Sequence, residues 1–146
     1  MGNRFRVGFV CVITLLVLAA TAAAQDGSFR VIVNSSNPSG SLRSAYVSKL
    51  FLGKTRRWDQ GAAVAPVDRS ARSSVRAKFS RSVHNKSVGA VKSYWQQMIF
   101  SGRGVPPLVL HSDAEVVAYV KRNPGAIGYV SSSASLNKVK VVEILK

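Results

Sequence analysis

"AAVAPVDRSARSSVRAKF", residues 62 to 79, runs from an apolar segment through alternating arginine and serine into apolar residues four apart. Ala62 to Val67 reads as a strand, with Pro66 demoting its end to a sheet edge or exit. Val75, Phe79 and Val83 have helical spacing and predict a short helix. Arg69, Ser70, Arg72, Ser73, Ser74 and Arg76 therefore crowd the junction between a strand end and a helix start. One reading is a solvated cap on a basic protein, with Arg72 and Arg76 facing water. The other is a socket for an anion. The first turn of a helix leaves amide N–H groups unpartnered at the positive end of its dipole, and an oxyanion there satisfies both. Ser73 as the cap and Ser74 behind it add hydroxyl donors. Arg69 offers two parallel N–H bonds to a tetrahedral anion. Open α/β sheets place ligands at the carboxyl ends of strands, which is where this point lies. Composition alone leaves both readings open.

Outward from this junction, strands alternate with helices. Phe29 to Asn34 is a β-branched run of the buried-strand kind. Leu42, Ala45, Tyr46, Leu50 and Phe51 predict a helix capped by Ser41 and closed by Gly53 and the basic run Lys54, Arg56, Arg57. Ser87 caps a helix with the stripe Val88, Val91, Trp95, Met98 and Ile99. Leu108 to Leu110 is a short strand, and Ser112 to Glu115 is a capping box opening a helix that turns Val116, Val117 and Val120 inward. Ala126 to Val130 and Val139 to Leu145 are the last strands. The expected class is α/β, a mixed, mostly parallel sheet flanked by helices.

Residues 1–24 read as a secretory signal: Arg4 and Arg6, an apolar run from Val7 to Ala24, and an Ala-x-Ala exit at Ala22 and Ala24. A retained anchor is the competing reading, since such a run approaches spanning length. Cleavage leaves residues 25–146 as one domain of 122 residues, with Cys11 gone. An exported domain without disulfides fits a bacterial envelope compartment, periplasmic or secreted. Two histidines and no thiol make a zinc site a poor expectation. Removing Arg4 and Arg6 leaves 19 Lys and Arg against six Asp and Glu, a formal +13. Such a field attracts anions of many kinds and speaks about partners, not fold.

Enzyme signatures are absent from the sequence: no Gly-x-Ser-x-Gly elbow, Walker loop, Gly-x-Gly-x-x-Gly or His-Glu-x-x-His. A Ser-His-Asp triad could draw on His84 or His111 with Asp59, Asp68 or Asp113, but no spacing supports one. No enzymatic activity and no cofactor are expected. Trp58 and Trp95 could line a base-stacking groove, yet their positions favour packing, and no nucleic-acid partner is expected.

"LFLGKTRRWDQGAAVAPVDRSARSSVRAKF", "YWQQMIFSGRGVPP", "SDAEVVAYVKRNPGAIGYV" and the final "VKVVEI" resemble the phosphate-binding-protein family, the periplasmic components of phosphate ABC importers. The likeness runs from about Val31 to Ile144, and Phe51 to Lys54 with Trp58, and Asn123 to Val130, are its most specific pieces. It implies a periplasmic-binding-protein-like (type II) fold. Family members clamp phosphate between two lobes, and the matching portion here runs through the second lobe and back. The family's N-terminal portion has no counterpart, as in a module cut to about half its usual content. The second-lobe pattern Arg-x-Asp-Gly-Ser-Gly-Thr keeps its arginine at Arg69 and its serine at Ser73. Ala71 stands for the aspartate, Arg72 and Ser74 for the glycines and Val75 for the threonine. With Ala71, the acceptor for the proton of hydrogen phosphate is lost, so a donor-only site with weaker discrimination against sulfate is expected.

The resulting expectation is an exported anion-binding module, phosphate-like in ancestry and weak. Arg69, Ser73, Ser74 and Val75 would form its ring, with Arg72 adding donors. Its partners would be phosphate or a similar oxyanion, with an ABC permease, another envelope protein or a second copy as further candidates. The alternative is a basic envelope adaptor binding an acidic protein, lipid or polyanion without a small ligand.

Overall fold

The computed structural model describes residues 28–146; the expected signal segment lies outside them. A six-stranded sheet has the order β2-β6-β1-β5-β3-β4, built from β1 (Phe29–Asn34), β2 (Ser41–Arg43), β3 (Ala65–Arg69), β4 (Leu108–Leu110), β5 (Ala126–Ser131) and β6 (Val139–Leu145). The pairs β2–β6, β3–β4 and β3–β5 are parallel, while β1 is antiparallel to both β5 and β6. The sheet is therefore mixed, with three of its five pairings parallel, as expected.

Successive residues of β1 point to opposite faces, and each face has its own core. Val31 and Val33 join Val47, Leu50 and Phe51 of α1 (Ser44–Phe51) and Val75 and Phe79 of α2 (Ser74–Phe79). Ile32 joins Val67 of β3 and Val116, Val117 and Val120 of α4 (Asp113–Arg122) on the other face. On the first face Phe79 stacks on Tyr129 at 3.8 Å between ring centres. A π-helical turn, Ser80–His84, continues α2. The helix α3 (Val88–Phe100) makes a smaller core of its own with Leu52, Val91 and Trp95.

Three expectations are corrected. The strand begins at Ala65 rather than Ala62, and Pro66 sits inside it, between β5 and β4. Ala65 donates to Gly125 at 3.0 Å, so the proline nitrogen points the other way, where the β4 ladder starts only at Val67. Ser41 is not a cap: Ser41 to Arg43 pair with Glu143 to Leu145, and the helix starts uncapped at Ser44. Ser112 does accept from the Glu115 amide at 3.1 Å, but the Glu115 carboxylate returns to His111 N–H at 2.7 Å, one residue earlier than a capping box requires. The caps at Ser73 and Ser87 are present as expected.

The stretch Asn123 to Val130 needs its glycines. A Cβ on Gly125 would lie 2.1 Å from the Ala63 carbonyl oxygen, and one on Gly128 would lie 2.8 Å from Val116 Cγ1. These close approaches seat the chain before β3, and α4, against β5.

Candidate functional site

At the carboxyl ends of β3 and β5 an open hollow of about 740 Å³ is lined by Arg69, Ser70, Arg72, Ser73, Ser74 and Val75 on one side. His111, Asp113 and Ser131 to Ser133 line the other. All five residues expected at an anion site border it. The Ser73 hydroxyl accepts from Arg76 N–H at 3.4 Å, which leaves its own proton free to donate. The amides of Ser74 and Val75 have no acceptor among the described residues. Arg72 and Ser74 are exposed.

Arg69 is 8% exposed and enters the hollow already partly engaged. Its Nη1 pairs with Asp113 and its Nη2 donates to the His111 carbonyl at 3.3 Å. One N–H on each terminal nitrogen is left over for a ligand. The donor-only expectation is corrected here: Ala71 leaves no carboxylate at its own position, but Asp113 brings one from α4. Asp113 accepts from the Ser131 amide at 3.1 Å and from the Ser131 hydroxyl. Burial alone would raise its pKa, but these two bonds and Arg69 outweigh that and hold it below the ordinary carboxylate value.

Behind the hollow lies a buried network that sequence reasoning missed. Arg76 does not face water; it is 8% exposed and pairs with Asp68 at 2.6 Å. Asp68 accepts from the Arg69 amide at 2.9 Å, and Arg76 Nη1 donates to the Arg69 carbonyl at 2.9 Å. Both backbone polar groups of Arg69 are thus held by one ion pair. The Tyr129 hydroxyl donates to Asp68 as well. Burial is the main cause of the raised Asp68 pKa, with Arg76 and the hydrogen bonds opposing it. Burial first, then the Asp68 charge, also pushes the Tyr129 hydroxyl up. The only signal in the sequence was an aspartate set directly after the apolar run that ends at Val67.

The other candidates fall elsewhere. Trp58 and Trp95 are buried, and Trp58 Nε1 donates to Gly125 at 3.0 Å. Arg56 and Arg57 bond to the carbonyls of Arg103 and Gly61. Ser48 Oγ and His84 Nδ1 meet at 2.8 Å, with His84 packed edge-on to Phe79. Among the described residues no group of acidic and histidine side chains is arranged to hold a metal, and no helix is long and apolar enough to cross a membrane.

A family model described as a PBP superfamily domain matches residues 24–144. The chain belongs to that superfamily. No curated protein matches its sequence. Among solved structures it resembles a phosphate ABC transporter substrate-binding protein from Clostridium perfringens that holds bound phosphate, at 21% identity and a TM-score of 0.64, over 80% of this chain and 44% of that one. A phosphate transport receptor from Vibrio cholerae is similar at 21% identity and 0.63, over 80% and 46%. PstS from Borrelia burgdorferi follows at 13% and 0.61, over 80% and 47%. These likenesses establish the binding-protein fold, and this superfamily chain spans under half the length of each of these structures.

Proposed function

We propose that this chain is an exported oxyanion-binding module, with phosphate as the first candidate ligand, rather than an enzyme. The observation that carries the reading is the convergence of unused donors on one hollow: the Ser74 and Val75 amides, the remaining Arg69 N–H bonds and the Ser73 hydroxyl. The reading is supported by structures of the same fold, one a phosphate ABC transporter substrate-binding protein with bound phosphate and another a phosphate transport receptor. The domain would span residues 25–146 after cleavage of residues 1–24, and its partners would be an ABC permease or another envelope protein. Asp113 gives the hollow an acceptor for the proton that hydrogen phosphate carries and sulfate lacks, so phosphate is favoured over sulfate.

The hollow is open to water, where a donor ring is worth little, so the affinity belongs near the millimolar range, about 4 kcal/mol. A phosphate titration followed at the Ser74 and Val75 amides tests this. Arg69→Ala should abolish the response, and Arg72→Ala should weaken it only severalfold. Nanomolar binding by a monomer, or no difference between the two variants, would overturn the reading.

A second reading rests on the surplus of positive charge. Arg69 and Arg76 are the only Lys or Arg residues to meet a carboxylate within 4 Å among the described residues; the others there have no acid partner, and most of them, Arg30 and Lys140 excepted, are exposed. A basic adaptor for an acidic partner would use them. Its binding would fall steeply with salt and would barely notice Arg69→Ala.

A further inference from the structure

Of the seven large apolar side chains exposed among the described residues, five fall between positions 99 and 109: Ile99, Phe100, Val105, Leu108 and Val109. Phe100 and Val105 are 95% and 85% exposed and touch almost nothing of their own chain. Scattered apolar residues on a surface need no reason, but a cluster does. The backbone holds this one out. Gly102, at φ 67, donates to the Ile99 carbonyl at 3.0 Å, and the Arg103 amide reaches the Met98 carbonyl at 2.9 Å, ending α3 in a tight turn. Arg56 then donates to the Arg103 carbonyl at 2.7 Å and pins the turn.

Cations flank the cluster. Val105 borders an open cavity of about 600 Å³ together with Arg56 and Arg103, and Ile99 and Val109 border a groove together with Lys92. No acidic residue lines either one. Protruding apolar groups in a cationic surround complement hydrocarbon lying beneath anionic headgroups. A folded partner fits less well, because it would need a pocket for Phe100, whereas a bilayer opens around any apolar prong. The β4 edge also offers a partner strand little, since Pro106 and Pro107 before it have no N–H. A second copy would set the same cations against each other. We infer that the end of α3 and the turn after it dock on an anionic phospholipid membrane. Phe100 and Val105 enter the upper acyl region, while Arg103 and Lys92 meet the headgroups. None of these residues lines the hollow beside β3, so this surface goes beyond the oxyanion reading.

Vesicle binding tests it. The chain from residue 25 carries every strand and both sheet cores, and it leaves out the apolar run that would insert by itself. In about 0.1 M NaCl it should sediment with phosphatidylglycerol vesicles at least about tenfold more tightly than with phosphatidylcholine. Phe100→Ser with Val105→Ser keeps every charge and, at such exposed positions, the fold; it should weaken binding about tenfold or more. Arg103→Gln with Lys92→Gln should also weaken it about tenfold. A polarity-sensitive dye on Phe100→Cys, the only cysteine in that chain, should shift to shorter wavelength on the vesicles. Binding by the apolar double variant within about twofold of the parent, or an unshifted dye, would overturn the inference, since diffuse charge would then suffice. Absence of vesicle binding would overturn it too, and a dimer abolished by Phe100→Ser would then assign the cluster to a second copy. The oxyanion reading is tested separately, by phosphate at Ser74 and Val75, and stands or falls on its own.

Discussion

Asp68 and Arg76 hold the amide and the carbonyl of Arg69 from opposite ends, so a buried ion pair sets where the site arginine can stand. Removing one partner of such a pair strands the other charge, which typically costs about 3–5 kcal/mol. Arg76→Met should therefore destabilise the protein by about that much in urea melts. Arg76→Met combined with Asp68→Asn should recover a good part of the loss, because no uncompensated charge remains. Equal stability of the single and double variants would show that the pair is not coupled. Ser73 was legible in the sequence because a cap is a local event, read from three neighbouring positions. Asp113 was not: its partners Arg69 and Ser131 are 44 and 18 positions away, and an acid in the first turn of a helix already has a sufficient local explanation in the dipole.

Among the elements, the strands with two-residue alternation or continuous burial were read at nearly their full extents, since β1, β5 and β6 have their own side-chain period to announce them. The β2–α1 boundary was missed because Leu42 fits both a helical stripe and a strand. The β6 edge, invisible locally, decides between them. Packing between elements yields two predictions. Gly128→Ala places its methyl 2.8 Å from the stiff Val116 Cγ1, which should cost about 1–3 kcal/mol. Val116→Ala in the same chain should offset part of that cost in thermal melts. The second concerns His84, whose imidazole joins α1 to the π-helical turn through Ser48. Burial first, then Arg76 and Lys86, lowers its pKa from 6.5 to about 4. A depressed histidine contributes stability that is present above its unfolded pKa and lost as pH falls through the folded one. Stability should thus decline by about 2 kcal/mol between pH 7 and roughly pH 4.5. His84→Asn should flatten that slope; an unchanged slope would place the titrating group elsewhere.

At the scale of the whole molecule, the excess of cations acts on folding as well as on partners. Like charges repel across a surface that carries few acids, and salt relieves this within a Debye length of about 10 Å at 0.1 M. Sodium chloride should accordingly raise the melting temperature up to a few tenths molar and then level off. Phosphate at matched ionic strength should add to this, because an ion that binds only the folded state stabilises it by RT ln(1 + [L]/Kd). With a millimolar Kd, phosphate at 10 mM adds about 1.4 kcal/mol, which for a domain this size moves the melting point by several degrees. Phosphate also acts on proteins through exclusion from their surfaces, which no single side chain controls. The decisive quantity is therefore the difference between phosphate and chloride in the parent, minus the same difference in Arg69→Ala. A remainder of several degrees locates the effect at the hollow beside β3. A remainder of zero means that the molecule senses only ionic strength, and its charge then serves an acidic partner instead.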